Sequence, residues 1–174
     1  MQTLGYLITF HTYGSWLHGD AKGSVDKEHN TPHSPTLAPD PRLHARRVAS
    51  LRHPPVDLDA RRRFVVDAAI REVAAHRGWN IAALHVRTTH VHVVVSARAS
   101  PERVMSDFKA YATRRMREEG LLEPESRAWS HHGSTRYLRS EASFSRAVQY
   151  VVNEQGEALS IQRQWSQRDR KSVV

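Results

Sequence analysis

The sequence WNIAALHVRTTHVHVVVSA, residues 79–97, contains two strand-like runs separated by the pair Thr88–Thr89. In the second run, His90 and His92 alternate with valines, which is the two-residue period of a strand with one buried face. The short connection predicts an antiparallel hairpin. The valines would then face a core, while the two imidazoles lie together on the opposite face of the sheet.

Further predicted elements flank this hairpin on both sides. In chain order they are a strand at Gln2–Tyr13, a helix capped by Asp57 or Asp59 and ended by Gly78, the two hairpin strands, a helix from Pro101 to about Glu119, an extended segment at about Ala128–Leu138, and a helix from Glu141 to about Gln155. The order β-α-β-β-α-β-α is that of a ferredoxin-like antiparallel sheet with helices on one face, followed by a C-terminal helix. We therefore expect an α+β fold whose second sheet face is open for a site.

The chain of 174 residues, 39% of them hydrophobic, has the size and apolar content of one domain with a real core. We expect this domain to span residues 1–156. It would include a long, proline-rich insertion loop at 14–57 with a short helix near Pro41–Leu51. A polar tail would follow at 157–174.

The charge balance favours a polyanionic partner, since 26 Lys plus Arg stand against 18 Asp plus Glu, a net charge of +8. This balance does not distinguish DNA, RNA and a membrane surface. The absence of cysteine excludes disulfides, thiolate metal sites and a cysteine nucleophile. No apolar run approaches the roughly 18 residues of a membrane span, and no signal-peptide pattern is present. We therefore expect no membrane segment and a cytoplasmic location.

The His-x-His pair could bind a metal ion, because alternate side chains of a strand lie about 7 Å apart on one face. The chain has twelve histidines, and chance alone would give about 0.8 such pairs in a chain of this composition. The spacing is therefore not specific by itself. The position of the pair opposite buried valines adds only modest support for a site.

The last predicted helix carries a tyrosine away from its apolar stripe. The stripe consists of Phe144, Val148, Val151 and Gln155, with Ala147 and Val152 at its flanks. Tyr150 lies roughly 130° from the centre of this stripe, and Glu154 follows one turn later on the same side. This placement predicts that Tyr150 is exposed or directed at a partner. A surface tyrosine beside a solvated glutamate is the alternative.

Five segments in the same order resemble the single-tyrosine HUH-endonuclease transposases, which include the insertion-sequence-200-like and REP-associated tyrosine transposases. They are Tyr13–Asp20 (YGSWLHGD), the His-x-His strand, Phe108–Thr113 (FKAYAT), Trp129 leading to Gly133–Leu138 (GSTRYL), and the Tyr-Val-x-x-x-Gln segment Tyr150–Gln155. The resemblance extends over residues 3 to 156. Five ordered segments are much more specific than the histidine spacing alone.

The resemblance implies a transposase that nicks and rejoins single-stranded or hairpin DNA. His90 and His92 would bind Mg²⁺ or Mn²⁺. Tyr150 would attack the scissile phosphate, giving a 5′-phosphotyrosine link and a free 3′-OH. The resemblance also implies a homodimer, in which the tyrosine helix serves its own histidine pair or that of the partner.

The third metal ligand is where the sequence departs from the family pattern. Family members commonly have Gln or Asn four residues after the tyrosine, whereas this chain has Glu154 there. A carboxylate is a good ligand for a hard cation, so we assign Glu154 as the third ligand. Asn153 and Gln155 stay open as alternatives.

Other residues compete for roles in such a site. Tyr111 is a second candidate nucleophile, although its place on the flank of a helical stripe favours packing. Lys109, Arg114 and Arg136 are candidate DNA-phosphate contacts, with solvated surface charges as the alternative.

Two other functions remain open at this point. The first is a replication-initiator or plasmid-relaxase type of HUH protein, although those usually belong to larger chains with further domains. The second is a domesticated, non-catalytic protein that binds hairpin DNA or RNA with the same surface. The presence of His90, His92 and Tyr150 argues against the second.

Overall fold

The computed structural model describes residues 3–15, 17 and 40–153. In chain order, these residues form β1 (Gly5–Thr12), α1 (Pro41–Ala49), α2 (Ala60–Arg77), β2 (Asn80–Val86), β3 (His90–Ser96), α3 (Pro101–Glu118), β4 (Trp129–Leu138) and α4 (Glu141–Asn153). This order confirms the predicted one, with α1 as the short helix expected before α2. The expected tail, Glu154, Gln155 and most of the expected insertion loop lie outside the described residues.

The four strands form one antiparallel sheet in the order β2-β3-β1-β4. Its register decides which side chains of the hairpin meet those of β1. Thr9 and His11 of β1 pair with His92 and His90 of β3, respectively. On the other side of β3, His85 of β2 pairs with His92. Polar side chains of three adjacent strands therefore meet on one face of the sheet.

The helix ends follow the capping residues in the sequence. The side chain of Asp59 accepts a hydrogen bond from the backbone of Arg62 at 2.8 Å, so Asp59 and not Asp57 caps α2. Gly78 ends that helix with φ 67°, a left-handed conformation that favours glycine. Ser100 caps α3 in the same way and Pro101 begins it. None of the helices in the described ranges has an apolar stretch long enough to cross a membrane.

The helices lie on both faces of the sheet. On one face, α2 and α3 pack against buried side chains of β1 and β3, among them Phe10, Val91 and Val93. On the other face, Ala147 and Val151 of α4 are buried in a second, smaller apolar cluster that also contains Val94. We expected this second face to be open, but α4 covers part of it. Its apolar patch requires a cover, and α4 provides it beside the histidines.

Candidate active site

Histidines of three adjacent strands lie next to one another on the sheet face that α4 covers in part. The rings of His90 and His92 lie 4.8 Å apart between centroids and are nearly perpendicular. The ring of His11, on β1, lies 5.4 Å from that of His90. As predicted, the pair His90 and His92 lies opposite the buried Val91 and Val93. His11 adds a third imidazole beside them.

A threonine hydroxyl contacts the Nδ1 atom of each histidine in the pair. Thr9 Oγ1 lies 2.7 Å from His92 Nδ1, and Thr89 Oγ1 lies 3.1 Å from His90 Nδ1. An imidazole that binds a cation through Nε2 carries its proton on Nδ1 and donates it to a nearby oxygen. The two hydroxyls can accept these protons. The pair is therefore oriented in a way that suits metal binding through Nε2.

The surroundings of His90 and His11 lower the pKa values of both imidazoles. Burial, followed by the neighbouring charges of His92 and His11, lowers the pKa of His90 to about 3. Burial and the charge of Lys109 lower the pKa of His11 to about 4. Both imidazoles are therefore uncharged near neutral pH. The neutral imidazole is the form that binds a metal ion.

Tyr150 lies beside this pair, on the exposed side of α4. Its ring is 5.6 Å from the ring of His92, at an interplanar angle of 75°. Its side chain is 37% exposed, whereas the next residue, Val151, is 1% exposed. The structure therefore brings the predicted nucleophile and the predicted histidine pair together within one chain. It also places Tyr150 off the buried stripe, as the helical period predicts.

His85 is a buried member of the site that the sequence analysis missed. It is 4% exposed, and its Nδ1 lies 3.3 Å from the backbone carbonyl oxygen of Val151. Burial is the main cause that lowers the pKa of His85. The residue belongs to a strand with no His-x-His spacing. Only the pairing of β2 with β3, which places it opposite His92, could have indicated it.

The donor set for a metal ion is incomplete within the described residues. Among residues 3–15, 17 and 40–153, no group of three histidine or acidic side chains is arranged to bind a metal ion. Asn153 is exposed at the end of α4, while Glu154 and Gln155 lie outside the described residues. The two imidazoles, each with a hydroxyl at Nδ1, fit two ligands of a divalent cation. The third ligand stays a prediction.

The candidate DNA-contacting cations lie in different surroundings. The ammonium of Lys109 donates to the backbone carbonyl oxygens of Ser130 at 2.9 Å and of His132 at 3.2 Å. Arg114 forms an ion pair with Glu118. Arg136 is exposed on β4. Lys109 is thus tied to the beginning of β4, whereas Arg136 lies at the surface.

Tyr111, the competing nucleophile, is half-buried and packs against the main core. The guanidinium of Arg114 lies over its ring, 4.7 Å from the centroid. These contacts agree with the predicted packing role.

The family model of the IS200-like transposases matches residues 46–154 of this chain. This chain belongs to the IS200-like transposase family. The matched range begins within α1 and extends to the residue after α4, so it includes the histidine pair and Tyr150. Comparison with curated proteins gives no match.

Two solved structures resemble this IS200-like transposase chain. One is a REP-associated tyrosine transposase bound to a REP hairpin, with a TM-score of 0.50 and 12% identity. The alignment covers 87% of this chain and 66% of that one, so this chain spans about two thirds of that neighbour. The other is a candidate transposase from Deinococcus radiodurans, with a TM-score of 0.46, 18% identity and coverage of 88% and 92%. The first likeness shows that the fold is shared.

Proposed function

We propose that this transposase-family chain cleaves and rejoins single-stranded DNA through a covalent bond between Tyr150 and a 5′-phosphate. The contact between the rings of Tyr150 and His92, 5.6 Å apart, is the observation that carries the proposal. It supports one site in which a phenol and a candidate metal-binding pair face the same phosphate. Family membership supports the same class of reaction.

The reaction exchanges one phosphodiester bond for another. The phenol of Tyr150 would lose its proton as its oxygen bonds to phosphorus. The bond from phosphorus to the 3′ oxygen would break, and that oxygen would take up a proton to give the 3′-OH. Attack by a 3′-OH on the tyrosine ester would reverse these steps and release the phenol. Because a diester is present throughout, the exchange needs no nucleotide hydrolysis.

His90 and His92 are the residues we assign to a divalent cation, with Glu154 as the third ligand. Asn153 and Gln155 are the alternatives at that position. A bound Mg²⁺ or Mn²⁺ would withdraw charge from the scissile phosphate and so make it more open to attack by the phenolic oxygen. The threonine contacts to both Nδ1 atoms support the assignment of the histidines.

We propose single-stranded or hairpin DNA as the substrate. The net charge of +8 supports a polyanionic partner, and the REP-associated structural neighbour is bound to a hairpin. Arg136, which is exposed on β4, is available for a phosphate contact. Lys109 already donates to carbonyl groups of its own chain, so we give its role in DNA binding less weight.

Because α4 packs on the sheet of its own chain, we propose that Tyr150 serves the histidine pair of the same chain. Three other expectations stay predictions: the homodimer, the cytoplasmic location, and the boundary at residue 156 between the domain and its tail.

The test uses labelled single-stranded and hairpin oligonucleotides, incubated with the protein and Mn²⁺. We expect a protein–DNA adduct that survives denaturation, is lost in Tyr150→Phe and persists in Tyr111→Phe. An adduct that persists in Tyr150→Phe would overturn the assignment of the nucleophile. Tight hairpin binding with no adduct, under every metal tested, would favour the non-catalytic binder.

A further inference from the structure

The buried His85 connects the tyrosine helix to the strand that carries the histidine pair. It lies opposite His92 in the register of β2 and β3. Its Nδ1 atom lies 3.3 Å from the carbonyl oxygen of Val151, the residue that directly follows Tyr150. Since a carbonyl oxygen only accepts, Nδ1 carries the proton and donates it.

Among the described residues, α4 also meets the sheet through apolar packing and through the ring contact of Tyr150 with His92. The buried side chains of the helix at this interface are Ala147 and Val151, with Phe144 and Val148 half-buried beside them. The attraction between apolar surfaces is not directional, so these contacts do not select a single hydrogen-bonding geometry for the helix. A hydrogen bond is directional and weakens steeply with angle. The His85–Val151 bond therefore restricts the position of α4 in a way that the apolar contacts do not.

We infer that His85 is a positioning residue. It sets the rotation of α4 about its own axis and the position of α4 along the sheet, and thereby the approach of Tyr150 to His92. His85 is 4% exposed, so an α4 displaced from the carbonyl would leave a buried N–H without its acceptor. The carbonyl of Val151 and the side chain of Tyr150 belong to consecutive residues of one helix turn. A fixed carbonyl therefore fixes the direction in which the tyrosine projects. The catalytic consequence rests on the proposed function, whereas the placement of α4 does not.

The placement can be measured without activity, because the chain has no cysteine. Spin labels at Ala75→Cys on α2 and Gln149→Cys on α4, both exposed positions, report the distance between the two helices. We expect a narrow distance distribution in the otherwise unchanged protein. His85→Leu, which lacks the donor, would give a broader or shifted distribution. His85→Asn, whose amide can donate from a position near that of Nδ1, would restore the narrow one.

A matched control separates positioning from loss of packing. Val148→Ala removes apolar contact from the same interface and leaves the His85–Val151 bond in place. We expect Val148→Ala to lower the melting temperature but to keep the narrow distribution. If His85→Leu does not fold, the comparison of His85→Asn with His85→Gln serves as the test. The Gln amide lies one methylene further from the backbone than the Asn amide. An unchanged distribution in His85→Leu, or the same distribution for Asn and Gln, would overturn the inference.

The second readout is the rate of adduct formation in a single turnover, compared with DNA affinity. We expect His85→Leu to lower the rate constant about 10- to 100-fold, as for other small misplacements of a reacting group. The Kd for DNA would stay within about threefold, and His85→Asn would recover most of the rate. A rate loss that Asn does not recover would contradict the positioning role. If the unchanged protein forms no adduct, the proposed function fails, while the distance measurement still decides the placement.

Discussion

The ring of Tyr150 lies edge-on to the imidazole of His92 in the same chain, with 5.6 Å between the ring centroids. The two residues are separated by α3 and β4 in the sequence, and α4 brings them together by packing on the sheet of its own chain. A site assembled in this way has its proposed nucleophile and its proposed metal-binding pair on one chain.

This arrangement predicts the outcome of mixing two inactive variants. Tyr150→Phe lacks the proposed nucleophile and His92→Ala lacks a proposed metal ligand, so we expect neither to form an adduct. We expect an equimolar mixture to stay inactive, because no chain carries both groups. Adduct gels after prolonged co-incubation and after co-refolding measure the result. The unchanged protein mixed with Tyr150→Phe is the control for subunit exchange. Recovery of activity in the mixture of the two variants would show instead that tyrosine helices serve partner chains.

Thr9→Val is expected to weaken metal binding although Thr9 is not itself a ligand. The substitution removes the hydroxyl that lies 2.7 Å from Nδ1 of His92, and loss of such an oxygen partner costs about 10- to 100-fold in metal affinity. Mn²⁺ titration by calorimetry or electron paramagnetic resonance measures the change. Thr135→Val, on β4, is the matched control, since its hydroxyl contacts Glu102 instead. Unchanged Mn²⁺ affinity in Thr9→Val would show that this hydroxyl does not support metal binding by His92.

The metal-free protein should lose stability as the pH falls below about 6.5. The folded-state pKa values of His11 and His90, about 4 and about 3, lie below the ordinary 6.5. In this pH range the unfolded chain therefore binds protons that the folded chain does not bind, which favours unfolding. Denaturant titrations between pH 4 and 7, in the presence of a chelator, measure the slope of the free energy of unfolding against pH. His11→Gln would make it shallower by up to about one bound proton. The same slope in His11→Gln would contradict the neutral state of the half-buried His11.

Lys109 and Arg136 should separate into a structural and a DNA-binding effect. Lys109→Met removes the donor to the carbonyl groups of Ser130 and His132, at an expected cost of about 1–3 kcal/mol in the free energy of unfolding. Arg136→Gln, at an exposed position, should change stability by less than about 0.5 kcal/mol. It should also reduce the salt dependence of DNA binding by about one phosphate contact. Chemical denaturation and binding isotherms at several salt concentrations measure these effects. If instead Arg136→Gln lowered stability and Lys109→Met reduced the salt dependence of DNA binding, Lys109 would be the residue that contacts DNA.

Much of this arrangement could be predicted from local patterns in the sequence. The alternation of valine and histidine predicts which face of β3 is buried, and Val91 and Val93 are indeed fully buried. The helical period predicts that Tyr150 lies off the apolar stripe of α4, and the structure confirms it. The caps Asp59 and Ser100 are also local features, because each side chain accepts from a backbone group a few residues further along.

The partners of the histidine pair could not be predicted in the same way. Thr9 and His85 meet His92 only because β3 lies between β1 and β2 with one particular register. A shift of one residue would turn either side chain to the opposite face. The bond from His85 to Val151 further requires α4 to cover β2 and β3. These relationships join segments that are far apart in the sequence, and no local period contains them.

The most direct test of the central claim is to identify the residue that bonds to DNA. The protein is incubated with a single-stranded oligonucleotide and Mn²⁺, digested with nuclease and trypsin, and analysed by mass spectrometry. The account predicts a nucleotide phosphate on Tyr150, in the peptide that follows Arg146. A phosphate on Tyr111 or on any other residue would contradict it.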